Sequence, residues 1–205
     1  FFTGSTGRGT VIGNPALDSE RSFNTDIGVK LNSTKLFASG YFFYNRISDY
    51  IERFDLNESL YTFSNLTQGT IRGIEWETAL VPTEGSSIYF RGHMLTGLEN
   101  RSLPLSDIPV HRFALGFQRQ EHRAVSYGAE WQFRDRKDDP GNGEQRIPSA
   151  QLLSAFLRFS PIRSFGATVA LTNLLNELYY PTADRKAAFA PGRGITVSVS
   201  WMPGN

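Results

Sequence analysis

The chain has 205 residues, a formal net charge of +1 and 40% hydrophobic residues. Near neutrality excludes a strongly basic nucleic-acid binder, and no apolar run approaches the eighteen residues a transmembrane helix needs. Cysteine is absent, so disulfides and thiolate metal sites are excluded, while 16 Phe, 8 Tyr and 3 Trp make the chain rich in aromatics.

From Phe1 to Ser19 the sequence is rich in Gly, Thr and Pro and has no period, which predicts a loop. The first strand then places Phe23, Thr25, Ile27, Val29 and Leu31 on one face, with Asn24, Asp26, Gly28 and Lys30 on the other. Asn32-Ser33-Thr34 is a tight turn. A second strand is expected from about Lys35 to Ile51, aromatic on both faces (Phe37, Tyr41 and Phe43 against Phe42 and Tyr44), so its orientation is left open. The polar run Glu52–Ser59 is expected to be a longer loop. The third strand, from about Tyr61 to Leu80, sets Ile74, Trp76, Thr78 and Leu80 against Gly73, Glu75 and Glu77.

Pro82-Thr83-Glu84-Gly85 is the next tight turn. The fourth strand opposes Ile88, Phe90, Gly92 and Met94 to Tyr89, Arg91 and His93, and a long loop follows from about Gly97 to Pro109. The fifth opposes Phe113, Leu115 and Phe117 to Ala114, Gly116 and Gln118, with a short turn at Gln120-Glu121-His122. The sixth has the clearest alternation: Val125, Tyr127, Ala129, Trp131 and Phe133 against Ser126, Gly128, Glu130, Gln132 and Arg134. A charged loop spans Asp135–Pro148. The seventh strand carries Leu153, Ala155, Leu157 and Phe159, and Ser160–Arg163 is a short turn. The eighth carries Ala167, Val169 and Leu171, and a long loop follows from about Asn173 to Pro191. The last strand sets Ile195, Val197, Val199 and Trp201 against Thr196, Ser198 and Ser200.

Connections thus alternate short and long along about nine strands. Outer-membrane β-barrels sort their connections in this way, with short periplasmic turns and long extracellular loops. A soluble β-sandwich has no reason to. The expected fold is therefore all-β, an antiparallel transmembrane barrel segment. Nine is an odd number, and an unclosed sheet in lipid leaves two unpaired edges. At several kcal/mol for each of roughly five exposed backbone groups per edge, that costs tens of kcal/mol. Either further upstream strands or an open curved sheet is therefore expected, and so is a fragment, since the chain starts at Phe1 without a signal peptide.

Gly13-Asn14-Pro15-Ala16-Leu17-Asp18-Ser19-Glu20 resembles a segment of TonB-dependent outer-membrane receptors. Phe43-Tyr44-Asn45 through Asp49-Tyr50-Ile51, then Asn65 and Gly73-Ile74-Glu75, resemble the strands that follow it. Ile108-Pro109-Val110-His111-Arg112-Phe113, the run Thr172-Asn173-Leu174-Leu175-Asn176 with Tyr179-Tyr180, and Pro191-Gly192-Arg193 are similar to later parts of that family in the same order. The resemblance implies an N-terminal plug inside a barrel of 22 strands, of which this chain is similar to the last nine: extracellular loop 1–19, barrel strands 20–201 and tail 202–205, with the plug absent. It implies active import of a scarce large solute, most often a ferric siderophore, driven by the TonB complex through a region this chain lacks. Implied partners are outer-membrane lipid and lipopolysaccharide, the receptor's own plug and the barrel-assembly machinery. The implied location is the outer membrane of a Gram-negative bacterium. Ile195, Val197, Val199 and Trp201 resemble the terminal-strand signal that this machinery reads. Other readings are a passive or adhesive barrel and a soluble all-β carbohydrate-binding domain.

Glu75, Glu77, Arg91, His93, Glu130 and Arg134 are expected to face the lumen, toward plug or ligand, although any polar barrel interior needs such residues. His93, His111 and His122 lack metal-ligand spacing. No nucleophile elbow, phosphate-binding loop or zinc motif is present, so neither a catalytic residue nor a cofactor is expected. Ligand capture is expected on Glu52–Ser59, Gly97–Ile108, Asp135–Ile147 and Glu177–Ala190. Arg185, Lys186 and Arg193 are candidates for meeting lipopolysaccharide or an anionic chelate, or simply solubilise a loop.

Overall fold

The computed structural model describes residues 2–7, 9–122, 124–162 and 164–202. Among these, every regular element is a strand: β1 (Gly4–Thr6), β2 (Gly9–Ile12), β3 (Arg21–Asn32), β4 (Leu36–Asn57), β5 (Leu60–Leu80), β6 (Ser86–Glu99), β7 (Leu103–Pro104), β8 (Arg112–Glu121), β9 (Val125–Arg134), β10 (Ala150–Ile162), β11 (Phe165–Thr172) and β12 (Gly194–Trp201). The nine long strands pair antiparallel in the order β3-β4-β5-β6-β8-β9-β10-β11-β12. Among the described residues β3 and β12 each pair on one side only, so the sheet is open.

The apolar stripes face outward. Val29 is 72% exposed, Ile195 67% and Trp201 71%, so no second layer covers them. Ile74, Ile88, Phe117, Leu157 and Val197 are exposed in the same way. A large exposed apolar face of this kind requires hydrocarbon or a partner. Register settles β4: Leu36, Ala38, Gly40 and Phe42 stand opposite Leu80, Thr78, Trp76 and Ile74 on the apolar face. Phe37, Ser39, Tyr41 and Phe43 therefore belong to the polar face, with Glu75 and Glu77.

The short connections gather at one end. Ser33 N–H donates to Leu36 O (2.8 Å), Ser86 N–H to Thr83 O (3.0 Å), and Gln120 N–H reaches Gly85 O (2.7 Å), where Gly85 adopts φ 75°. Two expected turns shift by a residue or two. β8 continues to Glu121, and β10 runs through Pro161 to Ile162, with a register shift after Phe159 where proline offers no donor to the ladder. Arg163 and the tail residues Pro203, Gly204 and Asn205 lie outside the described residues.

At the other end the sequence expectation needs correction. Glu52–Ser59 is not a long loop. β4 and β5 continue as a ladder to Asn57 and Leu60. The run is polar because, beyond the span of a bilayer, both faces of a hairpin meet water or other loops. The N-terminal stretch is also partly regular. β1 and β2 form a hairpin, and β2 pairs parallel with the top of β5 (Val11↔Tyr61). The chain then descends and crosses to the β4 side. Asn14 donates to Phe63 O (2.9 Å), and the Asn65 amide donates to both Asp18 O (3.0 Å) and Asp49 O (2.6 Å). The Glu20 carboxylate accepts from Ile51 N–H (2.7 Å).

Packing across the sheet repeats one device: an aromatic ring lying on the glycine opposite. The pairs are Tyr41 on Gly28, Phe43 on Gly73, Trp76 on Gly92, Tyr89 on Gly116 and Phe156 on Gly128. A Cβ at any of these glycines would collide with the ring. Substituting Gly116→Val displaces the Tyr89 ring and is expected to cost about 1–3 kcal/mol. Urea unfolding of the barrel in lipid bilayers measures this, and Gly40→Val, where the space is open, is the control.

Candidate functional site

The polar face carries the expected lumen residues. Glu75 stands opposite Tyr41 and His93, and Glu77 opposite Ser39 and Arg91. Arg91 nevertheless turns away from Glu77. It reaches over β8 to Glu130, two strands away, at 2.6 Å, and the Tyr89 hydroxyl donates to the same carboxylate oxygen at 3.0 Å. Ala114 and Gly116 lie between them in register, and only residues this small let the two side chains pass. Arg91 also lies 5.3 Å from the Tyr89 ring centroid. Glu75, Glu77, Arg91 and His93 line one groove of about 330 Å³.

His93 and Arg134 sit higher, in a cavity of about 230 Å³ that also reaches Lys137 and Glu144. His93 Nε2 is 3.2 Å from Val110 O. Arg134 donates to Pro181 O (2.7 Å) and lies over the Tyr179 ring at 5.5 Å, so it ties the top of β9 to the last long loop. The six expected residues thus form an Arg91–Glu130 pair, which Tyr89 joins, an acidic pair at Glu75 and Glu77, and two posts, His93 and Arg134, under the loops. The terminal-strand residues Ile195, Val197, Val199 and Trp201 lie far from these, on the outward face of edge strand β12.

Above the polar face the long connections pack together, and most of the buried residues lie there: Leu105 (2% exposed), Ser106, Glu144, Ile147, Asn173 and Ala183 among them. Glu144 joins three segments. Its carboxylate accepts from Asp107 N–H (3.0 Å) and Gly141 N–H (2.7 Å) and pairs with Lys137 Nζ at 2.5 Å. Its backbone carbonyl accepts from Arg185 Nε (3.1 Å), and Gln145 N–H donates to Ala183 O (2.7 Å). The tall β4–β5 hairpin is the fourth member. Arg53 lies 3.5 Å from Asp55 and 3.7 Å from Asp184, and Asn142 donates to Arg53 O. A cavity of about 490 Å³ opens there, lined by Arg53, Asp55, Tyr61, Asp184, Arg185 and Lys186.

Glu52, also in the tall hairpin, is 5% exposed. One carboxylate oxygen accepts from the Ser106 hydroxyl, and the other has no partner. Burial pushes its pKa up, the Ser106 bond opposes this, and nearby Asp107 adds to the rise. Tyr50 is pushed up to about 12 by burial and then by Glu52, Glu20 and Asp107.

Sequence reasoning missed Glu144, Lys137, Glu52 and Arg53 as organisers, because their partners lie in other loops and are often backbone atoms. Two asparagines in the quoted motifs proved structural. Asn173, buried at φ 48°, exchanges bonds with Glu177 (2.9 Å both ways) and donates to Pro191 O (3.3 Å). The Asn176 side chain accepts from Arg193 N–H (3.1 Å). Of the cations expected to meet ligand, Arg185 is thus engaged within the loop assembly.

An open antiparallel sheet with one hydrocarbon face, one charged face and all short turns at one end defines part of a membrane barrel. The family model "TonB dependent receptor-like, beta-barrel" matches residues 1–174, and the chain belongs to that family. Among solved structures it is similar to the copper transporter OprC (TM-score 0.80, 16% identity, 90% of this chain and 32% of that one). It is similar also to the FrpB iron transporter from Neisseria meningitidis (0.74, 15%, 95% and 33%). A third is a mutant of the ferric enterobactin receptor PfeA from Pseudomonas aeruginosa (0.74, 14%, 94% and 32%). The chain therefore spans about a third of the length of these relatives. No curated protein sequence matches it.

Glu144→Ala leaves the largely covered Lys137 ammonium with the Ile108 carbonyl (3.0 Å) but no counter-charge, and is expected to loosen the loop assembly by about 2–3 kcal/mol. Hydrogen exchange at the Asp107 and Gly141 amides reads this out. At Glu52 the folded carboxyl holds its proton more tightly than an unfolded one, whose pKa is about 4.3. Docking of loop 100–111 is then firmest below that pH and weakens as pH rises through the folded value. A spin label on Leu103→Cys, clean in a cysteine-free chain, should become more mobile with rising pH, and adding Glu52→Gln should flatten the response.

Proposed function

We propose that this chain is the C-terminal portion of the barrel of an outer-membrane receptor that imports a scarce, large solute, a ferric siderophore being the best fit, using energy from the inner-membrane TonB complex. The observation that carries the reading is the division of labour between faces. Hydrocarbon side chains cover one side, and on the other a charged wall lies beneath four interlocked loop segments. Such a wall suits a solute that must be held and then passed on. The role is carriage, with no catalytic step assigned. The family membership supports it, as do its structural relatives, which are transporters of copper or iron or receptors for ferric enterobactin and pyoverdine.

In this reading the short turns lie in the periplasm and the loop assembly outside the cell. Glu75, Glu77 and the Tyr89–Arg91–Glu130 cluster face the plug, which is not within these residues. Ile195, Val197, Val199 and Trp201 present the terminal strand to the assembly machinery. The test uses the full-length gene product in iron-starved cells and measures uptake of radiolabelled ferric siderophores of the catecholate and hydroxamate classes. Uptake is expected for one class and should vanish when TonB is deleted. Entry that persists without TonB marks a passive barrel, and a protein that stays monomeric in buffer without detergent marks a soluble binding domain.

A further inference from the structure

The turn 141–144 lies where the loop segments meet. Glu144 N–H donates to Gly141 O at 3.2 Å, so Asn142 and Gly143 are its two central residues. Gly143 has φ 73° and Asn142 is not left-handed, the φ pattern of a type II turn. A larger residue after Asn142 is shut out twice. Such a φ is costly for any residue with a Cβ. A Cβ there would also run into the Arg53 guanidinium and lie 2.8 Å from Asp55 Oδ2. The turn therefore demands glycine next to this asparagine.

Asparagine followed by glycine is a chemically labile pair. The nitrogen of the second residue can reach the side-chain Cγ of the first and close a five-membered ring, and glycine has no side chain to obstruct the approach. Here the nitrogen is unencumbered. The turn bond runs from Glu144 to Gly141, and among the described residues the Gly143 N–H makes no hydrogen bond. Gly143 also lines the cavity of about 490 Å³ beside Arg53 and Asp55, which leaves room for water.

One contact restrains the reaction. Asn142 Nδ2 donates to Arg53 O in the tall hairpin, which holds the amide while the loops are closed. The same contact gives the reaction a consequence. A carboxylate at this position has no proton to donate and sets its oxygen against the Arg53 carbonyl. The Arg53 guanidinium is no remedy, because it already lies beside Asp55 and Asp184.

We infer that Asn142–Gly143 is a site of spontaneous covalent modification, at which loss of the Asn142 amide turns the link between turn 141–144 and the tall hairpin into a repulsive contact. The Gly143 nitrogen bonds to Asn142 Cγ as the Cγ–Nδ2 bond breaks. The amide leaves as ammonia and takes the proton of the Gly143 N–H. Water then opens the succinimide at either carbonyl, giving aspartate or isoaspartate. Isoaspartate also lengthens the backbone by one carbon inside a turn that has no slack. Opening of the loops frees the amide to react, and reaction hinders their closing again. Nothing in this chemistry depends on the transported solute.

The test ages the full-length gene product in detergent at mildly alkaline pH. Peptide mass spectrometry with electron-transfer fragmentation then counts aspartate and isoaspartate at each asparagine. Asn142 is expected to convert at least fivefold faster than Asn32, which is exposed at the end of β3 before Ser33. Glu144→Ala, which loosens the loops, should speed conversion two- to threefold, and Asn142→Gln should abolish it. Hydrogen exchange reads the consequence at the Gln145 and Arg185 amides, which bond to Ala183 O and Gly143 O. Both should exchange at least threefold faster in aged wild type and in Asn142→Asp, and should not change as Asn142→Gln ages. Aged wild type carries this measurement if Asn142→Asp fails to fold. Conversion no faster than at Asn32 overturns the site. A Glu144→Ala rate equal to that of the wild type overturns the restraint by loop closure. Conversion that leaves both amides as protected as before overturns the repulsive contact.

Discussion

A backbone amide in hydrocarbon has nothing to bond to except another strand, and this one requirement organises the chain. It demands long, continuous antiparallel ladders, and it sends all irregular backbone to the two ends. It also explains why so little of the span has a dry interior. The stripes that would make a core in water are turned toward lipid, and tight packing in the span rests on rings seated on glycines.

Where that constraint lapses, the architecture changes. Beyond the lipid band β4 and β5 remain paired to Asn57 and Leu60, but their side chains now answer to loops. There the protein has its true interior, around Leu105, Ile147 and Ala183. It is bound by polar contacts that would cost too much in hydrocarbon. Glu144 and Lys137 are affordable because the Asp107 and Gly141 amides donate to the carboxylate and the Ile108 carbonyl accepts from the ammonium. The charged wall below is built differently. Arg91 and Tyr89 reach Glu130 across small residues, which fixes the shape of the face without filling it.

The fold was largely legible in the sequence, because a period of two survives any local irregularity. Val125 to Arg134 states it in ten letters. β4 was not legible, since Phe37 and Phe42 have the same chemistry and only their pairing with β5, where they stand opposite Ala79 and Ile74, tells them apart. Glu52–Ser59 was misread for a related reason: polarity means loop only where the alternative is burial, and a hairpin standing in water can be polar throughout. At the site, Glu130 and Arg91 were identifiable as facing inward, but their union was not, because it spans two strands separated in sequence by a long loop. Glu144 gave no signal at all. Its importance lies in whose amides point at it, and amides are the same in every sequence.

The absence of cysteine gives the loop assembly a particular character. A cover closed by disulfides would need a reductant to open. Among the described residues this one is closed by hydrogen bonds worth about 1 kcal/mol each and by sheltered ion pairs, Lys137–Glu144 and Arg53–Asp184 among them, all of which can break and re-form without a chemical reagent. Among the described residues no covalent bond ties one loop to another, so the state of the assembly is independent of the redox chemistry around it.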